Sequence, residues 1–456
     1  MKLISLIIFT ILFTFVSSQL IKLESPTFDE PVHLKAGLEY QKGNFNFDPI
    51  EPPMLRRVAV YLSHDLNDIR LLFSFLFALL VGYLIIYQLS LSFVENLVAL
   101  SVFLIEPNIL AFSHYFTTDA ISSILCVITL YRLFSHKYVT PKDKFETICF
   151  FALTCASKIA TLPLLFIGLT TQFRLMDKRF MFYLLFSTFL FVYGTYNFKH
   201  DLVFASRPFE IPFGGYLRGI KENALFAKRG QEVFFMGTSF DQGPWYKSIL
   251  VLFLKTSPLV LLGLIFIRSS KPLLAIAGLS LLFNSLKSLQ FGTRHLLPAV
   301  IAITILGSVS LWRRSKLTYF SLFTLSIISF FALWPHPITY TNALAGKVAP
   351  YALTDSDFDW GQGLISLNKF IKQNHIEHFQ LAYFGNADTS LYLGPHWRLI
   401  DENGSSNLPI SEITNLPTFI SLTCYYKCGY YLSQLWPLQK STLVAGSFLY
   451  FAMPAY

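Results

Sequence analysis

Runs of about twenty apolar residues recur along this 456-residue chain and set the strongest limit on its fold. An α-helix needs a run of this length to cross about 30 Å of hydrocarbon at about 1.5 Å per residue. One soluble core cannot bury so many runs, and only 14% of the residues are charged, against about 25% in a typical soluble domain. The sequence therefore predicts an integral, multi-pass membrane protein. The apolar runs are residues 4–21, 69–90, 96–112, 118–134, 145–173, 179–197, 247–267, 272–288, 295–312 and 317–334.

Basic residues between the runs predict which ends face the cytoplasm, by the positive-inside rule. Lys142 and Arg174 flank the run 145–173 and belong to basic connections, so a single span would put one of them outside. We therefore predict that this run breaks near Lys158 and Pro163 into two short helices that enter and return. The result is about eleven membrane segments, with the N-terminus in the cytoplasm and the C-terminus outside.

The first twenty residues, MKLISLIIFTILFTFVSSQL, allow two interpretations. An early lysine, an apolar stretch and the small residues Ser17 and Ser18 are typical of a cleaved signal peptide. The apolar part is long for a signal peptide, which favours a retained first span. A bacterial inner or plasma membrane is favoured as the location, with the endoplasmic reticulum as the alternative.

The formal net charge of +9 fits basic loops at the cytoplasmic face, because no basic stripe interleaved with aromatic residues is visible. Nucleic acid is therefore not predicted as a partner; the lipid bilayer is. Three of the five cysteines lie inside apolar runs. Only Cys424 and Cys428 are candidates for pairing, and their spacing is not that of a zinc motif.

Three long hydrophilic stretches fall on the non-cytoplasmic side in this topology, and the chemistry is expected there. Residues 1–334 form the predicted membrane module, with a first outer loop at 22–68 and a second at 198–246. Residues 335–456 form the tail, where FIKQNHIEHFQLAYFG and LPTFISLTCYYKC follow a helix-like and then a strand-like pattern. This pattern predicts a small extracytoplasmic α/β domain.

The first outer loop opens with FDEPVHL, which places Asp29, Glu30 and His33 close together. Acids and a proline in this order are also typical of an ordinary helix start. The same loop continues QKGNFNFDPIEPPMLRRVAVYL, in which Glu51 precedes two prolines and Arg56 begins an amphipathic stretch suited to a membrane interface. Together these features favour a functional loop over a simple helix start.

An Asp-Glu-x-x-His opening followed by Asp-Pro-x-x-Pro-Pro-Met resembles the polyprenyl-phosphate-dependent glycosyltransferases of the C-type membrane fold. These are relatives of the protein O-mannosyltransferases and the bacterial aminoarabinose transferases. The resemblance covers nearly the whole chain and depends on the order and spacing of motifs; in PIEPPM the chain lacks a histidine that relatives often carry. The further motifs are HYFTTDA, ALTCASKIATLPLL, GPWYKSILVLFLKTSPLVLL, FGTRHLLP, YTNALAG and DSDFDWGQGL.

This resemblance implies transfer of a sugar from a polyprenyl-phosphate donor to a hydroxyl of a protein, lipid or glycan acceptor, with inversion. Such a reaction needs a base for the hydroxyl, positive charge near the departing phosphate, and access from membrane and water. Asp29 is the predicted base, because a carboxylate with a pKa of about 4 is ionised at neutral pH. Glu30 is its predicted positioning partner.

Three cations are predicted to contact the donor phosphate: Lys158, Arg294 and Arg56. Lys158 lies in an apolar run, where a cation costs at least about 2.5 kcal/mol at a helix centre and should have an anionic partner. Snorkelling to the interface is the alternative for Lys158, and Arg294 has the same two interpretations. Asp119 either caps the helix that it begins or contacts substrate.

In DSDFDWGQGL, Trp360 is suited to stacking on a sugar ring, although the segment also fits a turn-rich surface loop. A divalent metal would bridge acids and phosphate in such a site, but no spacing here requires one. The rival function is a transporter or flippase of lipid-linked glycans, because intramembrane charges also mark translocation paths. The remaining predicted substrate contacts are His33, Glu51, Asp119, Asp359 and Gln362.

Overall fold

A computed structural model describes residues 1–201, 210–267, 270–346, 352–394, 397–403, 405–406 and 416–452. The described chain is mostly helical, as expected where lipid leaves backbone groups no partner outside the segment itself. The helices up to residue 332 are α1 (Lys2–Ile21), α2 (Glu30–Gln41), α3 (Met54–Leu62), α4 (Leu66–Tyr83), α5 (Phe93–Phe103), α6 (Pro107–His114), α7 (Asp119–Phe134), α8 (Pro141–Ser157), α9 (Leu162–Gln172), α10 (Lys178–Thr195), α11 (Gly214–Arg229), α12 (Lys247–Lys255), α13 (Pro258–Leu264), α14 (Lys271–Leu286), α15 (Thr293–Arg314) and α16 (Lys316–Ala332).

Within the described residues, three helices are long and apolar enough to cross a membrane. They are α1, α15 and α4 together with its π-helical extension, Leu66–Gln88. Two bent helix pairs raise the number to five if each pair is one span. These segments are those of an integral membrane protein, whereas the eleven-segment topology and the sides of the two termini stay predictions.

Two predicted segments, 96–112 and 247–267, are each divided into two helices by a sharp bend. The axes of α5 and α6 differ by 70°, and those of α12 and α13 by 116°. Pro107 and Pro258 begin the second helix of each pair, and the residues before them are extended. The cause is steric, because proline disfavours the helical conformation of its predecessor and cannot donate a backbone hydrogen bond.

The run 145–173 is broken at Lys158, which is extended between α8 and α9 with φ −159° and ψ 128°. The chain then returns towards its starting side, since Lys144 Nζ near the start of α8 lies 3.8 Å from Asp177 Oδ2, beyond α9. Both helices pack against α7. The predicted break is therefore present, and the depth of its tip in a membrane stays a prediction.

Helix α15 is the most enclosed of the three long apolar helices, since 83% of an 18-residue apolar stretch of it is buried. It packs against α7, α13 and α14. At the crossing with α13, a Cβ built on Gly263 would lie 1.9 Å from the carbonyl oxygen of Gly307. Two glycines therefore allow the backbones to touch, as small residues do in membrane helix pairs.

The tail contains a six-stranded mixed sheet, so the predicted α/β character is confirmed as a small sheet domain. The strands are β5 (Phe379–Tyr383), β6 (Trp397–Glu402), β7 (Ser405–Ser406), β8 (Thr418–Ser421), β9 (Thr442–Val444) and β10 (Phe448–Phe451). Their order in the sheet is β7-β6-β5-β8-β10-β9. Strand β5 pairs in parallel with β6 and β8, and the other pairs are antiparallel. The tail helices are Leu364–Gln373, Thr389–Leu393, Leu422–Lys427 and Tyr430–Leu435.

Two short hairpin-like sheets flank α11 in the second outer loop. The strands are β1 (His200–Asp201), β2 (Ile211–Pro212), β3 (Val233–Phe235) and β4 (Thr238–Phe240). Strand β1 pairs with β2, and β3 pairs with β4. The domain boundary at residue 335 stays a prediction, because tail side chains continue the hydrophobic core of the helices.

Arg132, at the end of α7, ties three segments together at the side of the bundle predicted to be cytoplasmic. Its side chain is 1% exposed. Its guanidinium donates to Gln88 Oε1 at 2.9 Å, Glu146 Oε2 at 2.7 Å, Thr147 Oγ1 at 3.0 Å and the carbonyl of Asp143 at 2.8 Å. A buried cation with this many acceptors fixes the ends of α4, α7 and α8 relative to one another.

We predict that Arg132→Met destabilises the protein by roughly 3 to 5 kcal/mol, because it leaves Glu146 and Gln88 without their buried partner. The measurement is unfolding of the purified protein in detergent. Arg179→Met is the matched control, since Arg179 is exposed at the start of α10, and it should unfold like the wild type. Equal unfolding of both variants would show that the Arg132 cluster does not hold the helices together.

Candidate functional site

A cavity of about 820 Å³ lies between the first outer loop, the α8–α9 break, α11, the α14–α15 junction and the tail. Its lining contains a set of apolar side chains, here called the apolar wall, and a set of charged side chains, here called the polar wall. Such a lining suits a ligand with an apolar tail and a polar head. The apolar wall includes Ile159, Ala160, Leu162, Pro163, Ile220, Ala224, Ala227 and Phe283. The polar wall includes Asp29, His33, Asp48, Glu51, Asp119, Lys158, Lys287, Arg294, Asp355 and Lys427.

Asp29 and Arg294, predicted as base and phosphate contact, form a salt bridge with each other. Asp29 precedes the first residue of α2, and Arg294 is the second residue of α15. Arg294 Nη1 donates to Asp29 Oδ2 at 2.5 Å. The guanidinium also lies 4.7 Å from the ring centroids of both Phe291 and Trp360, within cation–π range. The fold therefore joins the first outer loop, α15 and the tail at this pair.

Burial raises the pKa of the Asp29 carboxyl above its ordinary value. The Arg294 cation acts in the opposite direction, whereas the nearby carboxylates of Asp119 and Asp355 raise the pKa further. The side chain is still 29% exposed at the cavity. Asp29 is thus a stronger base than a free aspartate, with a cation beside it that favours the ionised form.

Lys158 has the anionic partners that its place in an apolar run requires. Its Nζ lies 2.6 Å from Asp119 Oδ1 and 3.5 Å from Glu51 Oε1. Glu51 Oε2 in turn accepts a hydrogen bond of 2.6 Å from Thr118 Oγ1. Because Lys158 is 8% exposed and faces two carboxylates, snorkelling to a membrane surface does not fit its position.

Glu30 lies behind the cavity and is fully buried. Its carboxylate accepts two hydrogen bonds from Arg70, one of them from Nε at 2.7 Å, and further bonds of 2.7 Å from the backbone N–H groups of Thr27 and Phe116. Burial alone would raise the pKa of Glu30, but Arg70 and the two backbone donors outweigh it and hold the pKa below its usual value. These bonds fix the start of α2, which presents Asp29.

Arg56 also lies behind the cavity wall rather than in it. Its Nη1 donates to Asp48 Oδ2 at 2.5 Å and is 3.5 Å from His33 Nδ1, and its Nη2 donates to the Glu51 carbonyl at 2.8 Å. The arginine thereby holds the loop that carries Glu51. His33 faces the cavity, and burial together with the Arg56 cation lowers its pKa to about 3, so its imidazole is neutral.

The tail residues Asp359, Trp360 and Gln362 occupy different environments. Trp360 lines the cavity beneath Arg294. Asp359 is buried, its Oδ2 accepts a bond of 2.8 Å from the Thr423 N–H, and burial raises its pKa to about 6. Gln362 is buried as well, and its Oε1 accepts a bond of 2.8 Å from the Trp360 N–H. Of these three residues, Trp360 borders the cavity, and it is 1% exposed there.

Five charged residues that line the cavity were not predicted as site residues from the sequence: Asp48, Glu232, Lys287, Asp355 and Lys427. Lys427 Nζ lies 2.8 Å from Asp355 Oδ2. Lys287 follows α14, and its Nζ lies 3.2 Å from His295 Nδ1; in the described residues it is the lining cation without a carboxylate within 4.0 Å. The only signal for Lys287 in the sequence was a lysine at the end of an apolar run, beside FGTRHLLP.

Five carboxylates that line the cavity lie within 4.0 Å of a cation: Asp29, Asp48, Glu51, Asp119 and Asp355. In the described residues, one group of acid and cysteine side chains is close enough to hold a metal ion, and it lies elsewhere: Asp401, Cys424 and Cys428. The two cysteines form a disulfide, which answers whether they pair. The site thus compensates its acids with lysine and arginine side chains.

No protein-family model and no curated protein matches this chain. Among solved structures it is similar to ArnT from Cupriavidus metallidurans, determined with bound undecaprenyl phosphate, with a TM-score of 0.52 and 12% sequence identity. The likeness covers 98% of this chain and 97% of ArnT. At this identity it shows the fold alone: a membrane fold like that of the C-type glycosyltransferases, as the order of motifs predicts.

We predict that Arg70→Met costs roughly 3 to 5 kcal/mol of stability, because the buried carboxylate of Glu30 loses its counter-charge. Glu30→Gln should also destabilise the protein, because it leaves the buried Arg70 guanidinium without its carboxylate partner. The double variant should be more stable than the sum of the two losses by about 1 kcal/mol or more, since neither charge remains. Unfolding of the four proteins in detergent measures this coupling, and strictly additive losses would contradict it.

Proposed function

We propose that the protein is an inverting glycosyltransferase that moves a sugar from a polyprenyl-phosphate donor to an acceptor hydroxyl at the non-cytoplasmic membrane face. The observation that carries this proposal is Asp29, a partly exposed carboxylate with raised basicity that lines a cavity of apolar and charged side chains. The fold shared with ArnT, which was determined with undecaprenyl phosphate, supports the class of donor. The sugar and the acceptor, whether protein, lipid or glycan, are left open by this argument.

The donor fits the two walls of the cavity. The apolar wall formed by the α8–α9 break and α11 would take the first isoprene units. The phosphate would then lie among the cations of the polar wall, with the sugar towards Asp29. Such an arrangement keeps the hydrocarbon out of water while the reacting carbon stays within reach of an acceptor from outside.

The transfer is a single displacement. The acceptor oxygen forms a bond to the anomeric carbon as the bond from that carbon to the phosphate oxygen breaks, and the phosphate keeps the bonding electrons. Asp29 takes the proton of the attacking hydroxyl as its acidity rises. One carboxylate is sufficient, because no covalent sugar intermediate has to form, and attack from the side opposite the phosphate inverts the anomeric centre.

Lys287 is the cation of the polar wall best placed to bind the donor phosphate, because no carboxylate in the described residues lies within 4.0 Å of it. Arg294 and Lys158 already contact carboxylates, at 2.5 and 2.6 Å, whereas Lys287 contacts a histidine nitrogen. We therefore add Lys287 to the proposed phosphate contacts and assign Arg56 to holding the loop of Glu51. Lys158 and Arg294, predicted as phosphate contacts, become secondary contacts in this proposal, because a phosphate at Lys287 would lie within the electrostatic field of both cations.

The transport alternative needs no base, since a flippase moves its lipid without breaking a bond. The requirement for Asp29 as a base therefore distinguishes a glycosyltransferase from a flippase. Mass spectrometry of surface glycans and glycoproteins from cells with and without the gene would identify a missing sugar and its acceptor. A bacterial inner or plasma membrane is the proposed location.

We predict that Asp29→Asn lowers the transfer rate about a hundredfold or more, since the amide keeps the shape of the side chain but cannot take a proton. Transfer from purified lipid-linked sugar in detergent measures the rate, and thermal melting checks folding. Asp68→Asn, an exposed acid on α4, is the matched control. A well-folded Asp29→Asn protein with a near wild-type rate would remove the proposed base.

We predict that Lys287→Met raises the donor KM roughly 10- to 100-fold, because a charge-assisted hydrogen bond is worth about 1.5 to 3 kcal/mol. Lys271→Met, at the opposite end of α14, is the control and should leave the donor KM unchanged. The measurement is the initial rate over a series of donor concentrations. An unchanged donor KM in a well-folded Lys287→Met protein would place the phosphate elsewhere.

A further inference from the structure

The bend between α12 and α13 leaves carbonyl groups that no helical N–H can reach. Two asparagines supply the missing donors. Asn342 Nδ2 donates to the carbonyls of Phe253 at 2.6 Å and Thr256 at 3.0 Å, and Asn108 Nδ2 donates to the carbonyl of Lys255 at 2.6 Å. The end of α12 is therefore fixed in place rather than frayed.

Lys255 extends from this fixed end into the tail. Its side chain is 2% exposed, and its Nζ donates to the carbonyls of Ile338 and Asp357, both at 2.6 Å. An amine buried this deeply is costly unless its hydrogen bonds are made. Breaking either hydrogen bond would therefore cost free energy. The bond to the Asp357 carbonyl links the segment 355–360 to α12.

The same segment fixes the end of α15 that carries Arg294. Asp357 Oδ1 accepts hydrogen bonds from the Thr293 N–H at 2.7 Å and the Thr293 hydroxyl at 2.8 Å. A carboxylate at a helix N-terminus satisfies a free N–H and matches the helix dipole. Gly292 makes room for it: φ is +70°, and a Cβ there would lie 1.9 Å from Asp357 Oδ2.

The segment also contacts the backbone next to Asp29. The carbonyl of Trp360 accepts a hydrogen bond of 2.8 Å from the Phe28 N–H. The Arg294 guanidinium lies over the indole ring of Trp360, 4.7 Å from the ring centroid. Both members of the Asp29–Arg294 pair are therefore held by one short piece of the tail.

We infer that residues 355–360 form a positioning loop for the Asp29–Arg294 pair, and that Lys255 and Asp357 are the positioning residues that hold it. Neither side chain touches the reacting groups; each acts through the backbone of the loop or of α15. The consequence for catalysis rests on the proposed function, whereas the positioning itself does not. The tail would thus complete the site instead of only covering it.

Hydrogen–deuterium exchange of the full-length protein in detergent tests the positioning directly. Lys255→Met should speed exchange in the peptides containing Phe28 and Thr293 by about tenfold or more. The variant lacks the hydrogen bonds of Lys255, so local opening of the loop costs less free energy. Lys137→Met is the matched control, since Lys137 Nζ donates to a carbonyl, that of Gln88, on the far side of the bundle. It should leave both peptides unchanged.

Asp357→Ala gives a second route if Lys255→Met does not fold, and it should speed exchange of the Thr293 peptide. Unchanged exchange at Phe28 and Thr293 in the folded variants would overturn the positioning role, whatever their activity. In the transfer assay, Lys255→Met should lower kcat about tenfold or more with less than about a threefold change in donor KM, because Lys287, the proposed main phosphate contact, lies outside the loop. If exchange is faster in the variant but the wild type transfers no sugar, the positioning role of the loop is supported and the proposed function is overturned.

Discussion

The salt bridge between Asp29 and Arg294 is the contact on which the site depends. It joins residues 265 positions apart, and it does so in surroundings where either charge alone would be costly. The pair therefore requires the first outer loop, the start of α15 and Trp360 of the tail to meet at one place. Supporting contacts follow from this requirement: Glu30 and Arg70 fix the start of α2, and Asp357 fixes the start of α15.

Breaks in the apolar helices supply the polar groups that this meeting point needs. A continuous helix keeps its backbone donors and acceptors to itself, whereas a break exposes some of them inside the bundle. At the α8–α9 break the extended Lys158 reaches Asp119. At the α12–α13 bend the end of the helix is held by asparagines, and Lys255 reaches the tail. The chain thus combines apolar helices with a polar site where those helices are broken.

Much of the fold followed from the apolar runs, including the break near Lys158 and the sheet of the tail, because periodicity and proline positions act locally. The roles of single acids did not follow. In DSDFDW, three aspartates within five residues have three roles: Asp355 contacts Lys427 at the cavity, Asp357 caps α15, and Asp359 is buried against Thr423. Their local patterns are alike, and the partners lie far away in the sequence. For the same reason Arg56 was predicted as a phosphate contact although it lies behind the cavity, and Lys287 was missed.

The cavity charges also suggest how stabilisation could grow as the proposed reaction proceeds. The donor is a phosphodiester with one negative charge, and the departing polyprenyl phosphate is a monoester that can carry about two. Asp29 loses its negative charge when it takes the acceptor proton. Negative charge therefore moves from Asp29 to the phosphate, and Arg294, bound to Asp29 at 2.5 Å beforehand, becomes available to the leaving group. An interaction that strengthens only as the bond breaks lowers the barrier rather than the energy of the bound donor.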